Sequence, residues 1–338
     1  MRTRTSPLMA LALGLLAAAP AAAGDLRYGY APYTGPQGFQ PRGLFYTDQR
    51  EEALPRETIT LRGSIGAMYL RGDEYVFNGD RTLSQLIWES KVPVLRGGAD
   101  LALGGGFSVS ASGAVAGFGS SYMEDYDWFI ATDNFDDWTH RSQHPDTRLD
   151  HYISLELTGG YEVARTDTAF VRAHAGARYT DLQWAAFGGS YIYSSNTGFR
   201  DTSGSFADGD PGITYRQQLP ELFVGVDGEE RYGRFTLGGL LRGGLIVGAV
   251  ATDDHWMRDL RFTDSLYAMP SIEVGLSAGY AMSDHVDVTL GGNFRQIFQQ
   301  RGDTKAYNTV TGATDTYTNA AGASLRSVDI TAGLTGRF

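Results

Sequence analysis

The chain has 338 residues, a formal charge of −11, 44 glycines, 19 tyrosines and no cysteine. Hydrophobic residues make up only 42% while aromatics reach 12%, which excludes both a disordered chain and a bundle of membrane helices. The acidic excess points away from nucleic acid and toward cationic partners, and a chain without cysteine has no disulfide framework to stabilise it.

Residues 1–23 carry Arg2 and Arg4, then an apolar run, then Ala21-Ala22-Ala23 ahead of Gly24. This is the pattern of a secretory signal with a small-residue cleavage site. Its removal is expected to leave 315 residues and to move the formal charge to −13. No later stretch approaches the ~20 consecutive apolar residues of a membrane helix. Residues 24–56 are rich in Gly, Pro and Tyr, lack alternation, and read as a flexible extension. Residues 57–338 then form the folded domain.

Alternation dominates that domain. Phe235, Leu237, Leu241, Leu245 and Val247 share one face of their segment, opposite Thr236 and Arg242. Ile272, Val274, Leu276, Ala278 and Tyr280 oppose Ser271, Glu273 and Ser277. At the end of the chain Val328, Ile330, Ala332, Leu334 and Phe338 alternate with Ser327, Asp329, Thr331, Thr335 and Arg337. Side chains alternate faces along a strand, so each segment has one apolar and one polar side. A soluble sandwich alternates too. Export, long apolar faces and connections that alternate short and long favour a ten-stranded antiparallel transmembrane β-barrel, all-β, with long extracellular loops. The strands are expected at 57–71, 81–95, 98–120, 148–164, 169–186, 213–228, 233–250, 263–281, 286–299 and 323–338. Tight turns are expected at 164–167, 228–233 and 282–285, and loops of twenty or more residues at the other end. An even strand count puts both ends of the barrel chain on the periplasmic side. The even-numbered face of the last strand then faces lipid, and Phe338 resembles the terminal aromatic that assembly machinery recognises in many such barrels.

Two acidic clusters fall at outward strand tips. Asp125 and Asp127 lie in "SYMEDYDWF", and Asp253, Asp254 and His255 lie in "VATDDHWM". Residues i and i+2 of a strand share a face, so Asp125 projects with Asp127, and Asp253 with His255. Paired carboxylates raise each other's pKa and can hold a proton between them. An imidazole beside a carboxylate is oriented as a general base. Set across a cleft, the two pairs could hold a water for attack on a carbonyl, with no serine or cysteine nucleophile. Spacing alone leaves open a solvated acidic rim that serves solubility or bridges calcium. The usual zinc spacings are missing, so no metal is expected.

The stretches "WTHRSQHPDT" (138–147) and "GGSYIYSSNTGFRDTSGSF" (188–206) resemble signatures of the omptin family of outer-membrane endopeptidases. The resemblance runs in consistent order over about residues 57–338. It implies a ten-stranded barrel in the outer membrane with its active site facing outward, and catalysis by Asp125, Asp127, Asp253 and His255 with water as nucleophile. Ser142 falls on a family position and reads as structural. His144 matches another, and loop structure and active-site support both stay open for it. The family's preference for basic residues implies acidic side chains in the cleft. Glu74 matches one such position, whereas Ala251 and His140 stand where two other acids are usual, so cationic selection should be weakened. The resemblance further implies peptide or protein substrates and no cofactor beyond a requirement for lipopolysaccharide. Two of the family's basic lipid contacts fall on Asp181 and Gln218 and are not carried over. A monomer is expected. The competing reading is a non-catalytic barrel that uses the same loops as an adhesin or binding protein.

Overall fold

The structure, a computed structural model, describes residues 58–132 and 134–338. The expected signal (1–23) and extension (24–56) lie outside the described residues. The described residues form thirteen strand segments in one antiparallel sheet. They are β1 (Ile59–Asn78), β2 (Arg81–Gly104), β3 (Phe107–Ala116), β4 (Ser120–Asp127), β5 (His140–Arg165), β6 (Ala169–Tyr193), β7 (Thr202–Tyr232), β8 (Phe235–Ile246), β9 (Val250–His255), β10 (Leu260–Leu266), β11 (Met269–Ala281), β12 (Val286–Asn308) and β13 (Thr314–Arg337). β1 pairs with β2 on one side and with β13 on the other, Thr60 lying opposite Arg337, so the first and last strands close the sheet. Closure leaves no strand edge with unpaired backbone groups.

Three of the expected strands are interrupted. β3 and β4 follow end to end between β2 and β5. β8 and β9 do the same beside β7, and β11 and β10 beside β12. The segment expected as one strand at 98–120 also turns at its start. Gly104, Gly105 and Gly106 have φ of +85°, +60° and +86°, a left-handed region that favours glycine, and residues 98–104 belong to β2. The turn expected at 228–233 is mostly strand, and the chain reverses at Gly233 and Arg234.

The expected loops of twenty or more residues are corrected most. β7 begins at Thr202, β12 runs to Asn308 and β13 starts at Thr314, all within stretches read as loop. The wall continues where the apolar alternation stops. Below each interruption the outer face is apolar, with Val115, Leu245 and Ile272 exposed. Above it the outer face carries Tyr122 and Glu124 on β4, Thr252 and Asp254 on β9, and Arg261 and Thr263 on β10. A polar-faced ladder is still a ladder, but it gives no hydrophobic period to read.

The faces are inverted relative to a soluble protein. On β13 Ser327, Asp329, Thr331, Thr335 and Arg337 are buried, while Val328, Ile330 and Leu334 are exposed. The interior is layered. Low in the barrel Arg178 reaches Glu156, Glu221 and Glu273 at 2.7, 3.4 and 2.6 Å, and Arg295 reaches Glu221 at 2.6 Å. Buried charges persist in such a setting only when paired. Above them lies an apolar collar that includes Met68, Leu70, Leu182 and Leu219. Trp88, Trp184 and Tyr215 stack within it, ring centroids 5.8–6.4 Å apart. The next inward position above Leu70 and Gly72 on β1 is Glu74, where the mouth begins.

Candidate active site

Asp125 and Asp127 lie on β4, the upper piece that begins beyond the break at 117–119. Asp125 stands opposite Leu86 and Ser142, and Asp127 opposite Ser84 and His140. Ser84 Oγ donates to Asp125 Oδ1 at 3.2 Å. Across the mouth, β9 places Asp253 opposite Tyr215 and Phe262, and His255 opposite Ile213 and Leu260. His255 Nε2–H donates to Asp253 Oδ2 at 2.5 Å. Its ring stands edge-on to Phe262, centroids 5.5 Å apart. The short turn after β9 is held by Trp256 Nε1 donating to Thr214 Oγ1 at 2.8 Å, and it closes at Asp259 with φ +53°. From this turn Arg258 Nη2 donates to His255 Nδ1 at 2.5 Å. With Nε2–H given to Asp253, the lone pair of the His255 ring lies on Nδ1, where Arg258 occupies it.

The two pairs converge electrostatically. Asp125 feels Asp127, Arg258 and Asp253, and Asp127 feels His140, Arg258 and His255. All these groups stand above the apolar girdle. Burial, then repulsion from Asp127, pushes the Asp125 carboxyl well above its usual range. Burial raises Asp127 as well, with Ser84 and His140 pulling the other way. Glu74 is raised strongly by burial and by Asp253, Asp264 and Asp125. Four strands thus deliver acids and one imidazole to a single mouth.

The remaining expected residues fall in different places. His140 lies beside Asp127 at the rim, its ring between Phe129 and Tyr193, with centroids 4.8 and 4.7 Å away. His144 is only 2% exposed. Its Nδ1–H donates to the Gly188 carbonyl at 2.6 Å and its Nε2 accepts from Ser142 Oγ at 2.9 Å, so both nitrogens are engaged within the wall. The glycine pair of "GGSYIYSS" permits this. Gly189 has φ +105°, and a Cβ there would stand 2.2 Å from the Gln143 carbonyl oxygen. Ala251 belongs to the apolar collar. Asp254 points outward to Arg261 at 2.6 Å and is separate from the dyad. On the outer wall Asp181 pairs with Arg216 at 2.5 Å and with His151 at 3.2 Å, and Gln218 donates to Tyr179 Oη at 2.8 Å. Sequence reasoning missed Ser84, Arg258 and Asp264. Ser84 and Asp264 become visible only through cross-strand register, which spacing within one strand does not give.

Comparison with known proteins gives the family and the fold. The sequence pattern of the omptin family matches residues 55–338. The chain is 30% identical over 278 residues to Protease 7 of Escherichia coli O157:H7, covering 80% of this chain and 87% of that protein. It is 28% identical over 287 residues to the Plasminogen activator of Yersinia pestis, covering 83% and 90%. The crystal structure of the outer membrane protease OmpT from Escherichia coli superposes with a TM-score of 0.79 at 27% identity, covering 85% of this chain and all of that one.

Proposed function

The chain belongs to the omptin family, and from that premise, as a protease with an outer-membrane β-barrel fold, we propose that it is an endopeptidase whose attacking group is a water activated by His255. The observation that carries this reading is the Asp253–His255 hydrogen bond in the same mouth as the Asp125/Asp127 pair. Asp253 holds the imidazole in one tautomer and stabilises it once protonated. Nδ1 takes a proton from water, and the hydroxide attacks the peptide carbonyl. Arg258, which donates to Nδ1 in this conformation, must swing aside for that water. The raised Asp125/Asp127 pair keeps its proton to higher pH than an ordinary carboxyl does and, while protonated, donates a hydrogen bond to the developing oxyanion. The proton on His255 then passes to the leaving amine. The mechanism is of aspartyl type in that no side chain attacks the carbonyl.

The thirteen segments make ten membrane-crossing strands, three of them interrupted at the level of the collar. The exposed band of Ile65, Leu155, Leu222, Leu290 and Ile330 faces lipid. Short turns at 105–106, 166–168, 233–234 and 282–285 share the lower end with both ends of the closed sheet, which is the periplasmic side. The mouth opens outward onto peptides and surface proteins. Its acids favour a cationic side chain beside the cleaved bond. Lipopolysaccharide supports activity from the outer wall, and a closed barrel without edges works as a monomer.

The test replaces His255 with Ala and follows Arg-containing fluorogenic peptides in detergent supplied with lipopolysaccharide. General-base loss should lower kcat by about 10²–10⁴-fold. Undiminished cleavage by H255A would refute the assignment.

A further inference from the structure

The structure assigns a second role inside the mouth. We propose that Asp264 and Glu74 together form the seat for the guanidinium or ammonium group of a bound peptide's side chain, with Asp264 as a specificity-determining residue. This rests on the reading of the mouth as a protease cleft.

Eight carboxylate residues are buried among the described residues: Asp73, Glu74, Glu221, Asp253, Asp264, Glu273, Asp287 and Asp329. Six of them are ion-paired to Arg or His. Glu74 and Asp264, 3% and 4% exposed, are the two with no cation within salt-bridge distance among the described residues. A buried carboxylate without a cation is costly, so this interior, which gives its other buried acids a cation, stands out by leaving these two without one. Glu74 and Asp253 face each other with Glu74 Oε2 and Asp253 Oδ1 fully enclosed, so a proton held on Glu74 is shared with Asp253. Both acids meet the cost by holding protons. Burial pushes Asp264 up to about 7 against the opposing hydrogen bond of the Thr304 hydroxyl, with Asp253 adding to the rise, and burial raises Glu74 too. An incoming cation would displace those protons and fill the gap.

Position supports the same occupant. Asp264 lies on β10 directly opposite Ala251 and Thr304. Ala251 is one inward position deeper than Asp253, so a side chain passing the Asp253–His255 dyad would end between Asp264 and Glu74. Directly opposed residues have Cβ atoms about 4.5–5.5 Å apart, so an acid at 264 supplies almost the same point in space as one at 251 would. The missing carboxylate at Ala251 is thereby restored from the neighbouring strand. Tyr215, whose hydroxyl feels Glu74, Asp264 and Asp253, closes the floor. Among the described residues, no three acidic or imidazole groups are spaced to hold one metal ion, which favours an organic monocation.

The experiment uses the full chain refolded in detergent with lipopolysaccharide and two peptides that differ only by Arg or citrulline at the cleaved bond. The readout is the ratio of kcat/KM for the two. Truncating one partner of a desolvated charge pair costs at least about 2 kcal/mol, so Asp264→Asn should lower the ratio by about 30-fold or more. Moving the acid across the ladder in the double variant A251D/D264A should restore the preference. A D264N enzyme that cleaves with an unchanged ratio overturns the role of Asp264 while leaving the protease reading intact. If D264N loses both substrates through misfolding, the double variant decides: regained Arg preference supports the seat, and its failure to regain it overturns the seat. Failure of the protease reading is seen separately, as indifference to H255A.

Discussion

Asp125 and Asp127 are two residues apart and face the same way, and their proximity in a buried site makes the proton on the pair hard to remove. The sign of the pH effect follows from the raised Asp125. A carboxyl whose pKa is raised keeps its proton to higher pH, so a step that needs that proton is lost as pH rises through the raised value. Replacing Asp127 with Asn removes the like charge and lowers the Asp125 pKa. The residual kcat/KM of D127N should therefore show its alkaline limb at lower pH than the parent, and an unmoved limb would mean that the pair does not hold the proton. Spacing placed the members of this pair, and of the Asp253–His255 pair, on one face, because i, i+2 geometry is a property of any strand, but it left a solvated acidic rim open until the family resemblance was weighed. The same rule could not show that His144 is locked by Gly188 and Ser142, since that depends on a partner 44 residues away.

At the scale of the strand, face inversion carries the membrane reading. Ile330 is 64% exposed on β13, while its neighbours Asp329 and Thr331 point inward. Asp329 is held there by Arg96 at 2.6 Å. Replacing Ile330 with Arg should cost about 2–4 kcal/mol if that position lies near the bilayer midplane, and less toward either interface. Heat-modifiable migration of the folded barrel measures the loss. No loss in lipid vesicles would place this face outside the bilayer. The lower halves of the strands were legible because an apolar outer face and a polar interior alternate residue by residue. The upper halves were not, because both of their faces meet water or polar groups, and residues 202–212 and 300–308 carry no period that separates strand from loop.

For the molecule as a whole, charge is distributed by height. The formal charge of −11 coexists with an interior in which acids below the collar are neutralised by arginine and acids at the mouth are not. The acids without a cation are thus concentrated at one opening, where the fraction of them that is ionised would attract the cationic peptides of the proposed cleft. Association should be screened by salt, with a Debye length of about 8 Å at physiological ionic strength. For the Arg peptide kcat/KM should fall by about tenfold between low and high salt, and the citrulline peptide should respond much less. An equal response of both peptides would locate the salt effect in the barrel or its lipid rather than in the mouth.

The sequence by itself determined the fold class, the inward and outward faces of the strands, the family, and the two pairs of residues at the centre of the proposed chemistry. The faces rest on alternation, the family on the stretches at 138–147 and 188–206, and the pairs on short spacings read with that resemblance, all of them local patterns. Only the tertiary structure decided that β4 and β9 deliver their pairs to one mouth, that Arg258 lies against His255, and that Asp264 stands where Ala251 has no acid to offer. Those relations are set by closure and cross-strand register. Register is a contact between residues distant in the chain, and no spacing along one strand encodes it.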